Sequence, residues 1–208
     1  MQPFHYLCCH LINFFKKHIG TFNILSMDQH YDIVEACKRG DRKAQFELYK
    51  LYSKAMYNIC LRMLNSAENA EDALQNAFVD VFTKLESFRF ESTIGAWIKR
   101  IVINNCINLL KKRRMEFAEL MENTQMPNER DPSVSAGILN VLAIQQAIQQ
   151  LPDGYRTIFN LYALEGYDHE EIGQVLGISE ATSKSQYSRA KAKLREVLKS
   201  PQSLFIGD

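Results

Sequence analysis

The sequence of 208 residues lacks the cysteine patterns that hold many small proteins together. Its five cysteines are an odd number without any C-x-x-C spacing, which argues against both a disulfide framework and a zinc finger. Four potential metal ligands lie near the N-terminus: His5, Cys8, Cys9 and His10. Adjacent cysteines do not have the spacing of a closed tetrahedral site. We therefore expect no bound metal, and reduced cysteines in a cytoplasmic protein.

The sequence also lacks the usual signatures of an enzyme. It has no glycine-rich phosphate-binding loop, and its five histidines are scattered rather than grouped with a nucleophile or metal ligands. His169 is more typical of a surface residue than of a general base. We expect no catalytic residue and no cofactor.

No apolar run is long and uninterrupted enough to cross a membrane, so we expect no stable membrane insertion. Residues 1–26 are rich in apolar side chains but contain three histidines and the Lys16-Lys17 pair, and they lack the layout of a signal peptide. An interfacial helix is one interpretation of this segment. We favour another, in which Met27 is the working start and residues 1–26 are not native, because an amphipathic helix begins directly after them.

Charge is distributed unevenly although the net charge is only +1. Six basic residues and no acid lie between Ser92 and Arg114, whereas residues 116–131 carry five acids and only one basic residue. Such patches allow nucleic-acid binding despite an ordinary isoelectric point.

No segment alternates with the period of a β-strand, and no internal repeat occurs. Apolar residues instead recur at helical spacing, over residues 31–39, from Ala44 onward, and over residues 67–85, 94–114, 138–150 and 155–164. We predict an all-α fold of two small helical domains joined by a flexible linker. The boundaries are residues 1–26 for the extension, 27–114 for the first domain, 115–137 for the linker, 138–200 for the second domain and 201–208 for the tail.

The segment from Tyr167 to Leu198 has the spacing of a helix-turn-helix. Asp168 can cap a short helix that Gly177 ends, and Ser179 can cap a longer helix that runs to about Ser200. Ile178 is predicted to be the buried residue of the turn.

The longer helix of this segment has one inward and one basic face. The inward residues are Ser183, Tyr187, Ala190, Leu194 and Val197. The outward residues are Lys184, Ser185, Ser188, Arg189, Lys191 and Lys193. Such a face can contact phosphates along its length and base edges with its first turns. A solvated basic helix in an ordinary bundle is the alternative.

Several motifs, taken in order, resemble bacterial RNA polymerase sigma factors of the extracytoplasmic-function (ECF) group, which are sigma-70-like. AEDALQNAF at residues 70–78 resembles the polymerase-binding helix of that family, and WIKRIVIN at residues 97–104 precedes the basic run KKRR. LPDGYR at residues 151–156 is followed by EEIGQVLGIS and TSKSQYSRA. The resemblance covers residues 27–200.

The resemblance implies a sigma factor that binds core RNA polymerase, recognises the minus-35 and minus-ten promoter elements and assists strand opening. It also implies an anti-sigma factor as a partner. The implied polymerase-binding residues are Asp72, Gln75, Asn76 and Phe78. Asn76 departs from the glutamate usual in the family, so a charged contact would here be a neutral hydrogen bond.

The resemblance also implies two sets of DNA-binding residues. The minus-ten set is Phe88, Phe90, Ser92, Thr93, Lys99, Arg100, Asn104, Lys111 and Arg113. The minus-35 set is Thr182, Lys184, Ser185, Gln186, Ser188 and Arg189. Lys184 and Arg189 could each read a guanine, and Gln186 an adenine. Trp97 is assigned to the core, whereas Phe88 and Phe90 fit the core and a base-stacking role equally well.

A rival hypothesis is a free-standing repressor or activator that uses only the C-terminal helix-turn-helix. Polymerase dependence separates the two, because a repressor binds its duplex alone, whereas a sigma factor binds specifically only as part of the holoenzyme.

Overall fold

The computed structural model describes residues 30–120 and 141–199, with side chains placed for residues 30–113 and 144–198. Within these ranges every regular element is helical, and contacts group the chain into two compact units, Met1–Leu109 and Leu110–Asp208. The prediction of an all-α fold with two helical domains is confirmed. The predicted extension, the tail and most of the predicted linker lie outside the described residues, as do Cys8 and Cys9.

The first unit contains α1 (Tyr31–Lys38), α2 (Arg42–Leu64), α3 (Ala67–Lys84), a 3-10 turn at Leu85–Ser87 and residues 94–109 of α4 (Ile94–Leu120). Helix α2 begins at Arg42, earlier than predicted, because the Asp41 side chain accepts hydrogen bonds from the backbone N–H of Lys43 (2.8 Å) and Ala44 (3.4 Å). Helix α4 continues beyond the predicted end at Arg114, since residues 115–120 contain no glycine or proline and include good helix formers.

The core of the first unit lies between these helices. Helix α2 packs against both α1 and α3. The fully buried side chains include Leu48, Met63, Leu85, Ile98, Ile103 and Ile107. Cys37, Cys60 and Cys106 are buried, and burial, with nearby Asp41 and Glu47, raises the pKa of the Cys37 thiol to about 11. This thiol is therefore protonated at neutral pH and acts as a core residue.

The second unit contains α5 (Val141–Gln149), α6 (Asp153–Phe159), α7 (His169–Leu176) and α8 (Glu180–Lys199). A π-helical turn, Asn160–Leu164, continues α6. Helix α8 packs on α5, α6 and α7. The buried guanidinium of Arg156 donates to the carbonyl oxygens of Gln149 (3.2 Å) and Leu151 (2.8 Å) and pairs with Asp153, so it joins the end of α5 to the start of α6.

Within the described ranges, no helix is long and apolar enough to cross a membrane. The same residues contain no group of three or more His, Cys, Asp or Glu side chains placed to bind a metal ion.

Candidate nucleic-acid and polymerase interfaces

Helices α7 and α8 are joined by the turn that the sequence predicts. The Asp168 side chain accepts a hydrogen bond from the Glu171 backbone N–H (2.8 Å), and the Glu171 carboxylate accepts one from the Asp168 N–H (2.8 Å), which forms a capping box. Gly177 ends α7 in the left-handed conformation, with φ of +72°. Ser179 Oγ accepts from the Thr182 N–H (3.0 Å) and caps α8. The predicted caps at Asp168 and Ser179 and the predicted stop at Gly177 are confirmed, whereas the predicted end of the longer helix near Ser200 lies outside the described residues.

Gly173 is a determinant of this turn that sequence reasoning missed. A Cβ atom at Gly173 would lie 2.8 Å from the carbonyl oxygen of Ile178, and the Gly173 carbonyl accepts from the Ile178 N–H at 3.0 Å. The turn therefore passes directly over α7. Ile178 is half-buried rather than buried as predicted, because its backbone makes the close approach to α7. A glycine inside a predicted helix was the available signal.

Helix α8 has the predicted two faces. Ser183, Tyr187, Ala190 and Leu194 are buried, as predicted, while Val197 is half-buried. On the outward side the exposed residues are Thr182, Lys184, Ser185, Ser188, Arg189 and Lys193, and the half-buried ones are Gln186 and Lys191. All six residues of the predicted minus-35 set are thus at least partly exposed to solvent.

Several outward side chains of α8 already have partners on the same helix. Lys184 Nζ lies 2.7 Å from the Glu180 carboxylate, and Ser185 Oγ donates to the Thr182 carbonyl (3.0 Å). The Lys191 ammonium lies 4.7 Å from the centroid of the Tyr187 ring. Because both side chains of the Lys184–Glu180 pair are exposed, this ion pair adds little stability.

His169 packs between the two helices rather than lying on the surface as predicted. Its ring stacks on Tyr162 (centroids 4.4 Å apart), and its Nδ1 is hydrogen-bonded to the buried Ser183 Oγ (3.0 Å). Burial lowers its pKa, with a further lowering effect of the Lys184 charge. The sequence places this residue only at the start of α7, and the contact with α8 determines its burial.

Helix α3 carries the predicted polymerase-binding residues on one exposed stripe. Asp72, Gln75 and Asn76 are exposed and share a face by their spacing. Val79, 66% exposed, extends the same stripe by one turn and was not predicted. Phe78 was grouped with these residues, but it lies in the core with its ring 4.8 Å from that of Tyr49. It therefore holds α3 against α2, because it points to the opposite side of the helix.

The aromatic residues before α4 differ in burial. Phe88 is only 3% exposed and contacts Trp97 (5.4 Å between centroids) and Phe90 (4.8 Å), so it belongs to the core. Phe90 is half-buried and has a φ of +58°. Trp97, assigned to the core from the sequence, is also half-buried. The segment between the 3-10 turn and α4 is thus anchored by Phe88.

The polar residues of α4 divide between solvent-exposed and structural positions. Arg100, Asn104 and Lys111 are exposed on one face. From the rest of the minus-ten set, Ser92 is exposed, and the half-buried residues are Thr93, Lys99 and Arg113. Thr93 Oγ1 accepts from the Ala96 N–H (3.2 Å), so its hydroxyl caps α4.

Asn105, the neighbour of Asn104 on α4, is turned towards α3. Its amide donates to Asp80 Oδ2 (2.9 Å) and to the Ile101 carbonyl (3.1 Å). This hydrogen bond and the neighbouring Lys84 lower the pKa of the Asp80 carboxyl. Asn105 therefore joins α4 to α3.

Comparison with known proteins matches both parts of the chain to regions of one protein family. The family model described as Sigma-70 region 2 matches residues 48–116, and that of Sigma-70, region 4 matches residues 142–194. The ECF RNA polymerase sigma factor SigM of Mycobacterium tuberculosis is 28% identical over 167 residues, which cover 80% of this chain and 83% of the relative. SigW of Bacillus subtilis is 28% identical over 181 residues, which cover 80% of this chain and 95% of the relative.

A solved structure shares the fold. It is that of the sigma factor RpoE in complex with the anti-sigma factor NepR from Bartonella quintana, with a TM-score of 0.50 and 23% sequence identity. The match covers 73% of this chain and 94% of that one.

The two matched regions follow the order of the two helical units, and the helix-turn-helix lies within region 4. The chain belongs to the sigma-70 family of RNA polymerase sigma factors. Within that family it is an ECF factor, which acts with core polymerase and promoter DNA in promoter-specific transcription initiation.

Proposed function

We propose that three surfaces divide the work of initiation between them. The outward face of α8 reads the minus-35 element as duplex, the exposed stripe of α3 binds core polymerase, and α4 with the preceding loop binds the minus-ten element as it opens. The observation that carries this proposal is that polar and basic side chains line one face of α8 while its other face is fixed in the core.

The geometry of α8 supports duplex reading. Arg189 is exposed and can donate two hydrogen bonds to a guanine, a contact that contributes about 1–3 kcal/mol of discrimination. Gln186 lies one turn earlier and suits an adenine. Lys184 can supply a second guanine contact after it leaves Glu180.

The stripe on α3 supports a protein contact. Asp72, Gln75 and Asn76 provide hydrogen-bonding groups, and the exposed Val79 provides apolar area next to them. An apolar centre with a polar rim is the usual layout of a protein interface. Asn76 makes this contact without the charge that the family usually has there.

The first turns of α4 and the preceding loop suit strand opening. Arg100 and Lys111 can attract the phosphate backbone, and Asn104 lies between them on the same face. Phe90 offers part of a ring to an unpaired base, supported from below by Phe88. Phe88 itself is a supporting residue in this proposal.

The remaining assignments follow from this role. Residues 27–114 and 138–200 act as the two functional domains, and residues 115–137 connect them. The protein performs no chemistry of its own, since polymerase supplies catalysis, and it acts in the cytoplasm beside the chromosome. The RpoE–NepR complex supports an anti-sigma factor as the inhibitory partner of this chain too.

Run-off transcription on genomic fragments, with core polymerase and the chain from Met27, tests the proposal. Arg189→Ala should lower promoter-specific transcription without weakening polymerase binding, and Asp72→Ala with Gln75→Ala should weaken polymerase binding. Equal effects of both changes on both readouts would contradict the division of labour. Specific duplex binding by the chain alone, without any polymerase-dependent transcript, would favour the free-standing regulator.

A further inference from the structure

Four aromatic rings form a continuous row that ends in solvent. Trp97 of α4 contacts Phe88, Phe88 contacts Phe90, and Phe90 contacts Tyr31 of α1, with centroid distances of 5.4, 4.8 and 4.8 Å. Phe88 is buried, Phe90 is half-buried and Tyr31 is 49% exposed. The row therefore runs from the core to an exposed ring that the proposed minus-ten set does not include.

Lys38 of α1 fixes the middle of this row. Its Nζ donates to the Phe88 carbonyl (3.1 Å), lies 4.7 Å from the centroid of the Phe90 ring, and pairs with Glu35 at 3.0 Å. Phe90 has a φ of +58°, which is uncommon for a bulky residue and persists only where its surroundings impose it. Helix α1 thus holds the loop in one conformation from outside the predicted DNA-binding segment.

We propose that Tyr31 and Phe90 together form a stacking site for one unpaired base of the promoter strand, with Lys38 as the residue that positions the Phe90 ring. This inference rests on the proposed function of the loop and α4. Adjacent exposed rings are the platform on which proteins stack single-stranded bases, and stacking tolerates any base because every base has a π-face.

The cation that contacts the Phe90 ring is already paired. The Lys38 ammonium is balanced by Glu35 and is mostly buried, with 15% of its side chain exposed. The exposed basic residues Arg89, between the two phenylalanines, and Arg100 and Lys111, on α4, are the groups available to phosphates, whereas the Tyr31 ring is neutral. Changes at Tyr31 should therefore alter strand opening without altering its dependence on salt.

The test uses holoenzyme and a promoter identified by run-off transcription, with 2-aminopurine at successive non-template positions of the minus-ten element. Tyr31→Phe keeps the ring, whereas Tyr31→Leu keeps apolar contact with Phe90 but removes the aromatic face. The Phe variant should open the promoter within about twofold of wild type, and the Leu variant about tenfold less well. One 2-aminopurine position should lose its stacking signal in the Leu variant alone.

Two further variants test whether Lys38 positions the Phe90 ring. Lys38→Met retains the aliphatic stem but removes the cation and the hydrogen bond to the Phe88 carbonyl, and should reduce opening about fivefold. Lys38→Arg should restore most of the opening, because a guanidinium can make both contacts. Polymerase affinity should stay unchanged in all four variants.

Equal opening by Tyr31→Leu and Tyr31→Phe would overturn the inference, since the ring would then only cover Phe90. A loss that follows polymerase affinity or the melting temperature would also overturn it. In both cases wild-type holoenzyme still opens the promoter, so the proposed function survives. If the wild-type chain opens no promoter with any core polymerase preparation that is active with another sigma factor, both proposals fail.

Discussion

The two surfaces that we propose bind DNA differ in the contacts that hold them in place. The outward face of α8 belongs to a regular helix whose opposite side is buried, and its side chains reach solvent at helical spacing. The surface before α4 is an irregular segment held by Phe88 and by Lys38 from α1. A helix face can therefore be altered one residue at a time, whereas the loop depends on contacts distant in sequence.

The largest expected effect is a loss of stability that distinguishes a core residue of the loop from a partly exposed one. Phe88→Ala should lower the free energy of unfolding of the first unit by about 3–5 kcal/mol, because it empties a buried ring site. Phe90→Ala should cost only about 1–2 kcal/mol, since that ring is half-buried and loses two aromatic contacts. Chemical denaturation measures both. Equal losses would mean that Phe90 is also a core residue.

The next effect tests the rigidity of the helix-turn-helix. Gly173→Ala would place a methyl group 2.8 Å from the Ile178 carbonyl, so the turn must move and the second unit should lose about 1–3 kcal/mol of stability. Hydrogen exchange of α7 and α8 measures the loss. Gly154→Ala is the matched control, because a Cβ there meets nothing within 4 Å. A stable Gly173→Ala variant with normal minus-35 binding would show that the turn is not constrained.

The sequence predicted those structural features that depend only on residues close together in the chain. Caps and stops such as Asp168, Gly177 and Ser179 act over three or four positions, so composition and spacing reveal them. The close approach at Gly173, the burial of Phe88 and the contact between His169 and Ser183 each require a partner from another element. Periodicity could not supply those partners. The family resemblance, and not periodicity, grouped Phe78 with the exposed residues of α3, because the family motif includes both exposed and buried positions.

A third prediction distinguishes base reading from phosphate attraction. Arg189→Ala should cost about 1–3 kcal/mol at one base pair of the minus-35 element and relax specificity there. Arg100→Ala should weaken promoter binding at all sequences and reduce the slope of affinity against salt by about one. Holoenzyme binding to a panel of single-base promoter variants, at several salt concentrations, measures both. A changed base preference in Arg100→Ala would contradict the proposal that Arg100 binds the phosphate backbone.

The smallest effect is a pH dependence confined to the second unit. The His169 pKa lies below its ordinary value of 6.5 in the folded protein, chiefly because of burial and then because of the Lys184 charge, while Glu180 and Asp168 act in the opposite direction. As the pH falls below about 6.5 the unfolded chain takes up this proton first, so the second unit should lose stability until the folded histidine is also protonated. The stabilisation is fully present above pH 6.5.

His169→Gln provides the comparison, since glutamine keeps a hydrogen-bonding group near Ser183 but does not titrate. Thermal unfolding of wild type and variant between pH 7.5 and pH 5 should show a small decrease for wild type that the variant lacks. His30 lies in the first unit and is unchanged in the variant, so the difference between the two proteins reports on His169 alone. Parallel curves over the whole range would mean that the contact between α7 and α8 does not favour the neutral imidazole.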